Sequence, residues 1–135
     1  MRQFTDEITI LNAKDSTGVG KILDVTDYNT IIVSISTASS ADLVVKFAGS
    51  IKDTCPTFTD AQSPSNLFDY LQAVDLQNAS ATNGDTGFVV SGSDDTKTYE
   101  INVNGIKWFA PVVTTRNAGS VTAVAKCFGA GNGRT

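Results

Sequence analysis

The side chains in this 135-residue sequence that are best suited to metal or proton chemistry are two small groups of aspartates. Asp94 and Asp95 are adjacent and follow Asp85, and Asp24 and Asp27 form the second group. A hard cation such as Ca²⁺ requires several converging oxygen ligands, and neighbouring aspartates on one turn supply too few of them. We interpret both groups as solvated turns and predict no metal site, while the sequence leaves open whether calcium binds to one of them.

Catalysis is disfavoured because the chain contains no histidine. Histidine is the commonest general base, the usual activator of serine and cysteine nucleophiles and the usual zinc ligand. The segment Gly18-Val19-Gly20-Lys21 lacks the longer spacing G-x-x-x-x-G-K-S/T that a phosphate-binding loop requires between a strand and a helix. We predict from these features that the protein is not an enzyme and has no cofactor.

The sole tryptophan, Trp108, is followed directly by Phe109. An exposed aromatic pair on a β-sandwich can stack on sugar rings, so a carbohydrate-binding module that recognises a glycan is one interpretation. The other interpretation is that the two rings belong to the core or to a contact between subunits. The sequence alone does not decide between these alternatives.

Composition and charge limit the partners that the chain can have. The 10 basic residues are scattered singly among 14 acidic ones, and the formal net charge of -4 argues against nucleic acid as a direct partner. No stretch approaches the roughly 18 apolar residues of a membrane span, and the N-terminus lacks the apolar segment of a signal peptide. We therefore expect synthesis in the cytoplasm and no membrane association, and we leave open whether Cys55 and Cys127 form a disulfide.

The elements that position these residues are short strands. Residues alternate between apolar and polar with a period of two, most clearly at Ile31, Val33 and Ile35, and glycine-containing turns such as Asn104-Gly105 separate the segments. The pattern predicts an all-β fold, an antiparallel β-sandwich of jelly-roll type with eight or nine short strands. We expect one domain over residues 1–128 and a flexible tail over residues 129–135.

Several local features refine this prediction. Residues 30–37 and 43–48 most simply form an antiparallel hairpin, and the segment 116–119 is a second predicted turn. Residues 66–76 fit a strand or a helix, and the surrounding strands favour the strand. Pro111 cannot donate a ladder hydrogen bond, so its strand lies at an edge or contains a bulge.

Between residues 49 and 66 the alternation disappears, and long irregular loops within a compact domain often form contacts. We predict that partner contacts are made by the part of this loop from Lys52 to Pro64, by the strand around Trp108 to Pro111, and by one or both termini. The residues predicted to make them are Lys52, Pro56, Phe58, Pro64, Trp108, Phe109 and Pro111.

Three segments of the C-terminal third resemble small virion proteins of tailed bacteriophages. They are residues 98–107 (TYEINVNGIK), 112–114 (VVT) and 118–123 (AGSVTA), in which a strand ends in a V-x-G turn and a G-S-V-T hairpin follows. The resemblance implies a structural component of the virion, above all a head decoration or auxiliary capsid protein. It also implies a homo-oligomer that contacts major capsid, neck or tail subunits, and it supplies no catalytic residues.

Overall fold

A computed structural model of the chain describes residues 3–59 and 63–129. Within these ranges the chain forms ten β-strands and no helix, so the predicted all-β antiparallel fold is confirmed. The strands are β1 (Ile8–Lys14), β2 (Gly18–Val19), β3 (Leu23–Asp24), β4 (Thr30–Ser50), β5 (Phe68–Tyr70), β6 (Ala73–Asp75), β7 (Ser80–Thr82), β8 (Phe88–Ser91), β9 (Thr96–Asn102) and β10 (Trp108–Phe128).

The two 21-residue strands β4 and β10 form the centre of the fold. They pair antiparallel over their whole length, from Trp108 opposite Ser50 to Phe128 opposite Thr30. Strand β9 lies beside the first half of β4 and continues to β6 and β7, while β5 and β8 lie beside its second half. Strands β2 and β3 flank the first half of β10, and β1 flanks the second.

A corner in the middle of the β4–β10 ribbon replaces the two predicted turns. Ser39 and Ser40 on β4 have φ of 67° and 53°, and Gly119 on β10 has φ of 76°. A Cβ atom on Gly119 would lie 2.6 Å from the carbonyl oxygen of Ala38, so the two backbones approach too closely for a side chain. The predicted hairpin between residues 30–37 and 43–48 is therefore wrong, because both segments belong to one bent strand.

The corner bends the ribbon without changing its register on either side. Val113 and its partner on β4 form one pair, and Ala118 and Asp42 form a second pair. Between these two pairs, β10 has two more residues than β4. Between the Ala118–Asp42 pair and the Ser120–Ala38 pair, β4 has two more residues than β10. The two differences cancel, so each half of the ribbon directs its apolar side chains to the inside.

The bend places two halves of one sheet on opposite sides of a shared core. Ile31, Val33 and Ile35 from the first half of β4 are fully buried, as are Leu43 and Val45 from the second half. Burying a side chain of this size contributes about 1.5–3 kcal/mol relative to leaving it exposed. The sandwich thus consists of two layers of a single hydrogen-bonded sheet, and the core includes side chains from both.

Aromatic rings connect the two layers across this core. Tyr99 of β9 packs edge-on against Phe47 of β4, with ring centroids 6.0 Å apart, and against Phe88 of β8 at 6.2 Å. Phe109 of β10 stacks on Phe47 at 6.2 Å. Edge-to-face and offset aromatic pairs at these distances are favourable beyond the area that they bury.

Pro111 lies on β10 between two neighbours rather than at an edge. Its carbonyl oxygen accepts a hydrogen bond from Gly20 N–H at 2.8 Å, which places the missing N–H of the proline on the same side, away from β4. On that side, the segment that joins β2 to β3 contains one residue more than the part of β10 that lies opposite it. The prediction that the strand of Pro111 lies at an edge or contains a bulge there is therefore wrong, because the extra residue lies in the segment opposite β10.

Residues 66–76 form strands β5 and β6, as the surrounding strands favoured. The chain changes layers between them: Tyr70 lies opposite Ala48 of β4, whereas Val74 lies opposite Glu100 of β9. Leu71 stabilises this crossing by donating its N–H to the Phe47 carbonyl at 2.7 Å. At the other end of the chain Gly129 N–H binds the Gln3 carbonyl, and the rest of the predicted tail lies outside the described residues.

We expect Gly119→Ala to destabilise the protein more than Gly105→Ala. Both substitutions place alanine at positive φ, which costs about 1–2 kcal/mol. Of the two, Gly119 alone adds steric overlap, because no atom of the described residues lies within 4 Å of a Cβ on Gly105. Overpacking of this kind costs about 1–3 kcal/mol more. Urea unfolding followed by Trp108 fluorescence measures the difference, and equal losses would contradict the role of the corner.

Candidate functional site

The aspartates that could have formed a metal or acid–base site stabilise backbone turns instead. Asp94 Oδ1 accepts the N–H of Ala41 at 3.2 Å, beside the corner of the ribbon. Asp24 accepts the N–H of Thr26 at 3.0 Å and pairs with Lys107 at 3.3 Å. The hydrogen bonds from Thr26, followed by Lys107, lower the pKa of Asp24. Within residues 3–59 and 63–129, no three His, Cys, Asp or Glu side chains converge as metal ligands would.

The two cysteines are both free thiols, which answers the question that the sequence left open. Cys55 is exposed in the loop after β4, whereas Cys127 is buried on the inner face of β10. Burial raises the pKa of the Cys127 thiol, so this side chain is a small apolar group of the core.

The predicted contact loop after β4 folds back onto the outer face of the sheet. Phe58 is buried and packs against Phe68 of β5, with ring centroids 5.2 Å apart, and Pro56 is buried as well. The two rings form a second apolar cluster with Ala48, Ala110 and Val112. Lys52 is half-buried, Pro64 is exposed, and residues 60–62 lie outside the described ranges.

The strand that begins at Trp108 presents its two aromatic rings to opposite faces of the sheet. Phe109 is fully buried in the core, and Pro111 is buried beside it. Trp108 is half-buried on the outer face, where Nε1 donates to the Lys52 carbonyl at 3.0 Å and the Lys107 ammonium lies 5.0 Å from the ring centroid. The exposed aromatic pair that sugar stacking required is therefore absent at these residues.

An apolar surface that sequence analysis missed lies at the end of β4. Ile51 is 73% exposed and Leu67 is 63% exposed, and with Leu71 and Ile106 they line a cavity of about 430 Å³. We call these four residues the Ile51–Leu67 patch. Isolated apolar residues in an irregular loop commonly anchor the loop to the core, so only the structure reveals that these two are exposed.

The backbone at Leu67 is held in a conformation that leucine rarely adopts. Its φ is 47°, in the left-handed region. The buried Ser50 hydroxyl donates to the Leu67 carbonyl at 2.7 Å and accepts the N–H of Lys52 at 3.2 Å, which fixes the residue beside the end of β4. Strain of this kind costs about 1–3 kcal/mol and is concentrated at functional sites.

A second concave surface is polar and was also missed. Its volume is about 640 Å³, and we call it the amide groove because carboxamides dominate its lining. It is lined by Asn29, Thr30, Leu71, Gln72, Val74, Glu100, Asn102 and Asn104. These residues come from separate segments of the chain, so no local sequence pattern unites them.

A part-buried ion pair fixes β6 against β9 near these surfaces. Lys97 Nζ lies 3.1 Å from Asp75 Oδ2, and Gln77 N–H donates to Asp75 Oδ1 at 2.9 Å. The Gln77 hydrogen bond, followed by Lys97, lowers the pKa of Asp75. Nearby, burial raises the pKa of Tyr99 to about 12, so its phenol is neutral at physiological pH.

The fold defines a class of protein: two layers formed by one bent antiparallel sheet, without helices in the described residues and with concave surfaces on the outside. The same fold occurs in the SPBc2 prophage-derived protein YomS, whose structure superposes with a TM-score of 0.69 at 14% identity over 95% of both chains. It also occurs in the PBSX exported protein XepA, with a TM-score of 0.68 at 14% identity over 94% of this chain.

The likeness to these two phage-related proteins shows a shared fold. This chain spans 38% of the length of XepA. No protein-family model matches the sequence, and no curated protein is significantly similar to it. None of the described segments forms a helix with the length and apolarity needed to span a bilayer.

We expect Asp75→Asn to lower stability at neutral pH and to have little effect in acid. The lowered pKa of Asp75 means that its ionised form stabilises the fold above the ordinary pKa of 3.8, and that this contribution is lost as pH falls through the folded-state pKa. Urea midpoints in a series from about pH 7 down to about pH 1, which extends well below the ordinary pKa, measure the effect. Asp27→Asn, on an exposed turn, is the control, and a deficit that persisted in acid would contradict the assignment.

Proposed function

We propose that this protein is a non-enzymatic structural component of a bacteriophage virion, which assembles as a symmetric oligomer or on a capsid, neck or tail surface. A head decoration or auxiliary capsid protein is the specific role that we favour. The fold shared with YomS over nearly the whole of both chains supports a phage context. We also propose that the protein is located in the virion and that its partners are its own copies or other virion subunits.

The observation that carries the proposal is the Ile51–Leu67 patch. Its two most exposed side chains present apolar area to solvent, and burying such area against a partner contributes about 25 cal/mol per Å². The bond from Ser50 to Leu67 holds the patch in place before any partner binds, so little ordering entropy is lost on contact. A preformed apolar surface suits a subunit whose function is to bind copies or neighbours in a particle.

The Ile51–Leu67 patch lies next to part of the predicted contact region. It begins at the end of β4, where the irregular loop starts, and Lys52 and the half-buried Trp108 lie beside it, joined by their hydrogen bond. Phe58 is buried in the second apolar cluster and Phe109 in the core, so neither side chain is exposed at this surface. Contact through Lys52, Pro64 and Trp108 stays a prediction.

We expect Leu67→Asn to weaken assembly without unfolding the protein. Asparagine tolerates positive φ better than leucine, so the folded state is kept or stabilised, while about 1.5–3 kcal/mol of apolar burial is lost at the interface. The association constant then falls more than tenfold in light scattering after size exclusion, and in co-sedimentation with phage particles. Leu76→Asn, at a side chain 46% exposed outside the patch, is the matched control.

A wild-type protein that is monomeric at high concentration and sediments with no phage particle would overturn the proposed function. Equal loss of assembly in the Leu67 and Leu76 variants would retain the assembly role and reject the patch as its interface. Circular dichroism establishes that both variants keep the β-fold.

A further inference from the structure

The amide groove collects polar side chains from both sides of strand β9. Glu100 and Asn102 lie on its outer face, with Thr30 of β4 opposite Asn102 and Val74 of β6 opposite Glu100. Gln72 reaches the groove from the crossing between β5 and β6, Asn104 from the turn after β9, and Asn29 from the residue before β4. The groove therefore depends on the tertiary fold for its shape.

Most of these polar groups are free to bind a ligand. Asn102 Oδ1 accepts the N–H of Asn104 at 2.9 Å, which orients the carboxamide and leaves its NH₂ group for another partner. The side chains of Asn29, Gln72 and Glu100 form no hydrogen bond or ion pair with residues 3–59 or 63–129. The hydrogen-bonding capacity of the groove is thus largely unused within the described chain.

The chemistry of the lining selects a class of ligand. A carboxamide offers a donor and an acceptor side by side, as a sugar hydroxyl does, and the Glu100 carboxylate can accept from two neighbouring hydroxyls. Leu71 and Val74 supply apolar surface for the C–H face of a sugar ring. Since no lysine or arginine of the described residues lines the groove and the chain has a net charge of -4, anionic polymers are disfavoured.

An extended peptide fits the groove less well than a saccharide. Peptides that bind to sheets usually add a strand to a free edge, where unpaired backbone groups are exposed. Strand β9 pairs with β4 from Thr96 to Asn102 on one side, and with β6 at Tyr99 and Glu100 on the other. Recognition therefore relies on side-chain carboxamides, which match hydroxyls.

We propose that the amide groove is a binding site for a neutral saccharide. Its volume of about 640 Å³ falls within the usual range of small-ligand sites, about 300–1,000 Å³. The site differs from the Trp108 surface that the sequence suggested, and it requires no aromatic platform. It adds a ligand to the proposed structural role and does not depend on the Ile51–Leu67 patch for its hydrogen-bonding groups.

The test is isothermal titration calorimetry of the full chain with a panel of neutral mono- and disaccharides built from glucose, galactose, mannose and N-acetylglucosamine. Dextran sulfate and a neutral extended peptide form the comparison arms. We expect weak binding of at least one saccharide, and a loss of affinity of about tenfold or more in Glu100→Gln and in Gln72→Ala. Glu7→Gln, at an exposed glutamate outside the groove lining, is the matched control and should bind as the wild type does.

Absence of binding to every saccharide in the panel would overturn the inference, as would binding that the Glu100 and Gln72 variants leave unchanged. Binding of only the sulfated polymer or only the peptide would replace the saccharide with the other ligand class. Light scattering on the same variants separates this result from the proposed assembly role, because Glu100 and Gln72 lie outside the Ile51–Leu67 patch.

Discussion

The antiparallel ladder between β4 and β10 is the interaction on which the remaining structure depends. Strands β1, β2 and β3 pair with β10, and β5, β8 and β9 pair with β4, so only β6 and β7 attach to the sheet indirectly. Because each long strand contributes to both layers, the ladder also aligns the layers with each other. The Ile51–Leu67 patch lies at one end of the ladder, and the amide groove lies along its flank, so both surfaces depend on its register.

The sequence predicted well what local pattern determines. Ile31, Val33 and Ile35 alternate with more polar residues, and all three are buried as the alternation requires. The corner at Ser39 and Ser40 was beyond local pattern, because two consecutive residues at positive φ are also what a tight hairpin turn contains. Only the pairing with β10, which places Gly119 opposite, makes this conformation a bend within one strand.

Local sequence pattern was also insufficient to predict the two candidate functional surfaces. Phe58 was predicted as a contact because it lies in the long irregular loop, and Phe109 because it lies in the strand with Trp108 and Pro111; both are buried in apolar clusters. Ile51 and Leu67 are both exposed, and the Ser50 hydroxyl brings the two segments together by binding the Leu67 carbonyl, a contact that no sequence spacing reveals. Local pattern does not reveal the amide groove either, since its lining residues come together only when β4, β6 and β9 meet.

Strand β10 follows its partners β1, β2, β3 and β4 in the chain, which has a consequence for the order of folding. During synthesis β1, β2 and β3 have no partner until β10 has left the ribosome, and β4 can pair only with β5, β8 and β9 before then. Contacts between such distant segments make folding slow and leave strand edges exposed to other chains. Until β10 emerges, the unpaired edges of β1, β2, β3 and β4 are therefore the parts of the nascent polypeptide most open to pairing with another chain.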